Sequence, residues 1–257
     1  MPHPTPADRA LRAVADSVAD SRARRPEDAT DPSIPVAATV VLLRDGDAGL
    51  EVLMIERPDR GSFAGAWVFP GGKLEDDDRD GADEIEEAVA RRAGVRETHE
   101  ETGLEIDPAG FESLSVWDPP PGLALRIRTW FLVAPAPDGG ELALSPDEAV
   151  AAEWARPVDL LERHGRGELT LYPPTWVTLH ALTTHPDAAS VRGAARLAGV
   201  QRFETVARRG AEGPLLLWHG DEDWDPDAAA PGSRHRLEIG ALPWRYSRTD
   251  DAGLTAE

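Results

Sequence analysis

A chain of 257 residues can bury a sizeable core, either as one elaborated domain or as one domain with an appendage. Its formal charge of -20 argues against a nucleic-acid or anionic-membrane surface, and a phosphorylated ligand would need metal ions or clustered arginines to approach. The chain has no cysteine, which excludes disulfides and thiolate metal sites. It shows no apolar leader at residues 1–6, and its longest apolar stretch, residues 36–43, is too short to span a bilayer, so the expected location is the reducing cytoplasm.

Residues 1–33 mix Asp, Arg, Ala and Pro and read as a tail or arm, with a short helix expected over residues 7–21. Residues 36–43 are β-branched and aliphatic, the run Asp45-Gly46-Asp47-Ala48-Gly49 supplies turn chemistry, and residues 50–55 return, which predicts a hairpin. A polar loop over residues 57–65 carries Arg57, Arg60 and Ser62, and Trp67-Val68-Phe69 forms a short strand entering Pro70-Gly71-Gly72. After an acidic run over residues 75–87, a helix is expected to start at Asp83 as N-cap and end at Gly103, a residue suited to the left-handed cap. Strands are expected over residues 111–117, 125–133 and 150–154. On the second of these, Arg126 and Arg128 project opposite the apolar face, toward either a substrate or solvent. Residues 158–163, 173–182 and 188–198 read as helical, and residues 215–218 as a strand. Strands on both sides of one central helix, without regular alternation, indicate an α+β fold with a mixed sheet.

The central helix concentrates the chemistry. At about 100 degrees per residue, Glu97, Glu100 and Glu101 fall within an arc of roughly 100 degrees. Like charges at such spacing repel, and no basic residue follows at the next turn to offset them. A hard divalent cation would. Mg²⁺ takes oxygen ligands and grips substrate phosphates at the same time. Ala88, Val95 and Thr98 are expected on the core face, while Ala90, Ala93 and Gly94 on the glutamate side would admit the Gly71-Gly72 backbone. His99 lies off the carboxylate arc and reads as exposed or structural.

Gly72, Arg96, Glu97, Glu100, Glu101, Gly103 and Leu104 match the signature G-x5-E-x7-R-E-U-x-E-E-x-G-U, and on them the chain resembles the Nudix hydrolases. Asp78 stands where the first glutamate belongs, Thr98 replaces an aliphatic residue, and residues 79–95 lengthen the gap before the arginine. This looks like the branch with an inserted loop before the catalytic helix, which includes coenzyme A diphosphatases. Residues 65–72 resemble the end of the upstream coenzyme A motif.

The resemblance implies an α/β/α sandwich with a mixed sheet over residues 35–164, preceded by a tail over residues 1–34. Residues 165–257 are expected to form a C-terminal helical extension packed on that core. It further implies Mg²⁺ or Mn²⁺ held by Glu97, Glu100, Glu101 and the Gly72 carbonyl, with Arg96 orienting a glutamate through a fixed fork. The base would be a glutamate of the box or a loop carboxylate, for which Glu148, Asp147 and Glu153 are candidates and Glu148 is taken first. Arg57 and Arg60 are candidate phosphate ligands, and Trp67 either stacks on a base or fills the core. The expected activity is cleavage of the pyrophosphate in a nucleoside diphosphate linked to another group, with coenzyme A or an acyl derivative as first substrate. ADP-ribose, NADH, dinucleoside polyphosphates and capped RNA stay open, a homodimer is a candidate assembly, and the alternative function is a Nudix-like module that senses a nucleotide without cleaving it.

Overall fold

In the computed structural model the described residues are 22, 24–61, 63–81, 84–123, 126–224, 229–249 and 255–256. The helix expected over residues 7–21 lies outside them, as do Ser62, Asp83 and Leu125. The expected hairpin is present. Strand β1 (Val36–Gly46) and strand β2 (Gly49–Glu56) pair antiparallel, closing with Gly46 opposite Gly49, whose φ of 114° a side chain would resist. Strands β3 (Trp67–Val68) and β4 (Gly71–Lys73) follow, and β4 pairs antiparallel with the N-terminal half of β1. Helix α1 (Glu86–Thr102) comes next, then β5 (Glu112–Asp118), β6 (Arg128–Pro135) and β7 (Ala151–Ala155).

The first sheet is mixed. Its order is β3-β2-β1-β6-β5-β8, with β4 also on β1 and β7 on β2. The central pair β1 and β6 is parallel, and the hairpin-linked pair β5 and β6 is antiparallel. Such a sheet must be covered on both sides, and it is. Val40, Leu42, Leu53, Phe111, Val116 and Leu132 pack with Ala90 and Ala93 of α1 on one face. Val41, Val52, Met54, Phe69, Phe131 and Val133 pack on the other face with residues from the remaining helices and a second sheet.

Those helices are α2 (Pro157–Gly165), α3 (Pro173–Leu182) and α4 (Ala188–Ala198). The region beyond residue 165 is thus helical at first, as expected, but strands dominate its remainder. Strand β8 (Gln201–Glu204) joins the first sheet parallel to β5, and β9 (Val206–Gly210), β10 (Gly213–Leu217), β11 (His235–Glu238), β12 (Arg245–Thr249) and β13 (Thr255–Ala256) form a separate antiparallel sheet. Phe203 of β8 stacks on Trp117 of β5 with centroids 3.8 Å apart and planes 5° from parallel, and Trp218 meets both rings edge-on. One continuous apolar cluster therefore spans the first sheet and the C-terminal strands. No helix among the described residues is long and apolar enough to cross a membrane.

Two local expectations change. Strand β6 begins at Arg128, and its buried residues lie on both faces because helices cover both sides. Arg128 therefore projects neither to solvent nor to a substrate: its guanidinium donates to Asp118 (2.6 Å) and to the Ala29 carbonyl (2.6 Å) beneath the N-terminal segment. Arg126 bonds Asp31 of the same segment at 3.1 Å. The N-cap of α1 is Ile85, whose side chain caps nothing, although Glu86 and Glu87 in the first turn suit the helix dipole.

His164 and His235 are buried in the core shared with the C-terminal strands. Burial lowers each ring's pKa to about 4. An unfolded histidine charges near pH 6.5, so the stability each contributes is present above that pH and declines as pH falls toward 4, by on the order of 3 kcal/mol in full. Glu101, described below, titrates with the opposite sign, so the test is differential. His235→Phe, which keeps a ring and cannot charge, should gain on the parent steadily between pH 6.5 and 4 in thermal unfolding, and parallel curves would refute the assignment.

Candidate active site

Helix α1 runs along β1 and β6 because its sheet-facing positions are small. A Cβ on Gly94 would lie 2.9 Å from Val40 Cγ2 and 3.2 Å from Leu132 Cδ1, so the sheet, rather than the glycine turn, accounts for this glycine. The buried stripe is Val89, Ala90, Ala93, Gly94, Thr98, Glu101 and Thr102, whereas Ala88 and Val95 are only partly covered. Thr98 is buried as expected, but the buried stripe is centred on Ala90, Gly94 and Glu101 rather than on Ala88 and Val95, and the small residues draw Glu97 and Glu101 in with them. Gly103, at φ 73°, ends the helix as expected, its N–H donating to the His99 carbonyl. His99 itself is exposed.

Glu101 is the most enclosed of the three glutamates, at 1% exposure. Its Oε2 accepts the Gly71 N–H at 2.7 Å and its Oε1 accepts Arg57 Nη1 at 2.9 Å. Burial nevertheless outweighs both donors and pushes its pKa up to about 8. Glu97 is also raised by burial, with Glu100 and Glu148 adding to the effect. Its carboxylate lies so close to the glycine turn that a Cβ on Gly72 would fall 2.3 Å from Glu97 Oε1. A Cβ on Gly71 would meet the Ala38 carbonyl at 2.2 Å, so backbone packing requires glycine there, whereas a side chain at Gly72 would displace the Glu97 carboxylate.

Arg96 binds the remaining carboxylates together. Its Nε and Nη2 reach Asp78 Oδ1 and Oδ2 at 3.1 and 2.9 Å, its Nη1 reaches Glu97 at 2.8 Å and Glu100 at 3.0 Å, and Nη2 also donates to the Lys73 carbonyl. Its own pKa is raised well above the ordinary arginine value, chiefly by the Asp78 hydrogen bonds. Burial alone would raise Asp78, but the Arg96 fork and the Glu75 N–H hold it below the usual carboxylate range. The charge neutralisation missing downstream of the glutamates is therefore supplied from upstream by Arg96 and from the neighbouring loop by Arg57.

The other expected residues separate into two groups. Glu148 is half-buried in a loop docked on the end of α1, where Ser145 N–H donates to the Glu101 carbonyl at 3.2 Å and Ala143 N–H to that of Thr102 at 2.8 Å. It is near enough to raise the pKa of both Glu97 and Glu101. Asp147 points away and pairs with Arg60 at 2.7 Å, both largely exposed. Glu153 pairs with Arg163, whose guanidinium lies 5.7 Å from the centre of the Trp67 ring. Trp67 itself is half-buried against the core. Arg57 thus stands at the carboxylates, while Arg60 pairs with Asp147 and Trp67 lies against Arg163 and the core. Asp78 was visible in the sequence only as a departure from the signature.

Among the described residues no three acidic or histidine side chains are gathered at ligating spacing, and arginines hydrogen-bond oxygens of Glu97, Glu100 and Glu101. The donor set still suits a hard cation. A buried and a partly buried carboxylate, both with raised pKa values, lie against a glycine backbone, and a divalent ion would offset the charge that burial penalises.

A family model described as the NUDIX domain matches residues 34–174. Among solved structures, the chain is similar to a NUDIX hydrolase from Alicyclobacillus acidocaldarius, at 24% identity and a TM-score of 0.55, over 66% of this chain and 97% of that one. It is also similar to a MutT NUDIX hydrolase from Burkholderia pseudomallei, at 27% identity and a TM-score of 0.44, over 58% and 97% of the two chains.

Two variants test this local account. Asp78→Ala leaves Arg96 without its fork and should cost about 2 kcal/mol, discounted because Arg96 keeps other partners and some exposure; a loss under roughly 0.5 kcal/mol in urea unfolding would show that the fork is dispensable. Thr98 carries a buried Oγ1 with no hydrogen-bond partner. Thr98→Val should therefore raise stability by about 1 kcal/mol, and a drop of that size would point to an acceptor for the hydroxyl.

Proposed function

Because the chain belongs to the Nudix family of pyrophosphohydrolases, we propose that it cleaves the pyrophosphate of a nucleoside diphosphate joined to another group, with Mg²⁺ or Mn²⁺ as cofactor. Coenzyme A or an acyl derivative is the first substrate to test, on the strength of residues 65–72 and the insertion before α1. The observation that carries the reading is the convergence of Glu97 and Glu101 on the Gly71-Gly72 turn, with their charge under-compensated.

Glu97, Glu100, Glu101 and the Gly72 carbonyl would hold the ion, which when bound polarises the phosphoryl oxygen and lowers the pKa of an attacking water. Arg96, anchored on Asp78, fixes Glu97 and Glu100 in place. Arg57 has two tasks. It holds Glu101 through a hydrogen bond, and its planar fork is also suited to bind a phosphate of the substrate. Glu148 is the first choice for the proton acceptor, because among the three loop and strand candidates its carboxylate acts electrostatically on both Glu97 and Glu101. Asp147 and Glu153 are turned to arginines of their own. The absence of cysteine fits a reaction carried out in the cytoplasm.

Incubating the protein with coenzyme A, acyl-coenzyme A, ADP-ribose, NADH and dinucleoside polyphosphates in Mg²⁺, with products identified by mass spectrometry, tests the reading. Two phosphorylated products are expected. Glu97→Gln and Glu101→Gln should each lower turnover at least about a hundredfold with unfolding curves showing an intact fold. Near-parent rates in both variants would refute the assignment, and nucleotide binding without metal-dependent turnover would favour the sensor instead.

A further inference from the structure

The loop over residues 57–65 contains a side chain that the carboxylate cluster does not explain. Phe63 has φ of 61°, and it is the only non-glycine residue with positive φ among the described residues. A bulky L-residue pays for that conformation, and glycine would relieve it. Packing does not repay the strain, since the residue remains 37% exposed. Its ring stands edge-on to Tyr172, with centroids 4.7 Å apart and planes at 88°.

Phe63 is bonded to the loop that carries Arg57, and Tyr172 follows a segment bonded to the same loop. The Ala66 N–H donates to the Phe63 carbonyl at 3.0 Å, and the Ala66 carbonyl accepts the Arg57 N–H at 2.9 Å, so Phe63 and Arg57 spring from backbone held to one residue. Ala66 also bridges to Thr170, and the Trp67 N–H donates to the Thr170 carbonyl at 2.9 Å. Tyr172 is two residues further on, so the segment between α2 and α3 is laid against the loop that presents Arg57 to Glu101.

We propose that Phe63, supported by Tyr172, is a specificity residue on which the heteroaromatic base of the substrate stacks while its pyrophosphate reaches Arg57 and the carboxylates. Aromatic faces accept any base and so recognise the ring rather than its hydrogen-bonding edge. The Phe63 ring is partly exposed, and its contact with Tyr172 is edge-on rather than stacked. The inference rests on reading the carboxylate cluster as part of a nucleotide site.

Calorimetric titration of the full chain with ADP in Mg²⁺, and separately with inorganic pyrophosphate, tests it. ADP should bind the parent at least about tenfold more tightly than pyrophosphate. Phe63→Leu and Tyr172→Leu should each weaken ADP about tenfold or more, while pyrophosphate changes less than about twofold, and Phe63→Trp should keep ADP affinity within about threefold of the parent. Phe63→Gly, which removes the ring and relieves the backbone, serves where Phe63→Leu unfolds. Unchanged ADP affinity in the folded Phe63 variants, or a parent that does not prefer ADP to pyrophosphate, overturns the proposal. Binding is read without turnover, so the two readings fail separately. Nucleotide hydrolysis with base affinity indifferent to Phe63 sinks only this inference, and Phe63-dependent ADP binding without hydrolysis sinks only the hydrolase reading.

Discussion

The buried carboxylate of Glu101 is the constraint from which the site follows. It is nearly inaccessible to solvent, yet a carboxylate can be buried only when donors surround it or when it is neutralised. Two donors are present, the Gly71 N–H and the Arg57 guanidinium, and each comes from a different part of the chain. One side chain thereby fixes the helix, the glycine turn and the loop of residues 57–65 relative to one another. The donors do not fully offset the burial, as the raised pKa shows. In the proposed reading a hard cation would offset the residual imbalance.

Arg96 performs a similar task on the exposed side. Its fork on Asp78 spans the lengthened segment between the acidic position and the helix, so the insertion changes the length of that segment without removing the contact it must deliver. Aspartate is shorter than the glutamate of the signature. Here it is placed by a short 3-10 turn over Asp76–Asp78 and by the Glu75 N–H, which brings its backbone close enough for the shorter side chain to reach. Arg92 donates to the Asp78 carbonyl at 2.6 Å and pairs with Glu84, so the insertion is tied to the helix at its other end.

The C-terminal region contributes more than cover. Strand β8 extends the first sheet beside β5, and the stacked rings of Trp117 and Phe203 carry the apolar core across to Trp218 and the second sheet. The segment at Thr170 meanwhile reaches the wall of the candidate site. Burial of such large aromatic surfaces is a strong driving force, and it makes independent separation of the two regions costly.

The sequence by itself determined the hairpin at residues 36–56, the helix stop at Gly103 and the three glutamates on one arc, because turn residues, a left-handed cap and a 3.6-residue period are local properties. It also showed that Gly72, Arg96 and the glutamates belong together. Tertiary structure alone decided which side of α1 is buried, since small residues at Ala90, Ala93 and Gly94 attract the sheet more closely than a polarity pattern suggests, and the glutamates are carried in with them. It decided too that Arg128 is a buried partner of Asp118, that strands other than the one expected at residues 215–218 fill the region beyond residue 200, and that Arg57 meets Glu101 while Arg60 turns to Asp147. Each of these depends on contacts between residues ten or more positions apart, where burial and pairing override the local pattern that sequence displays.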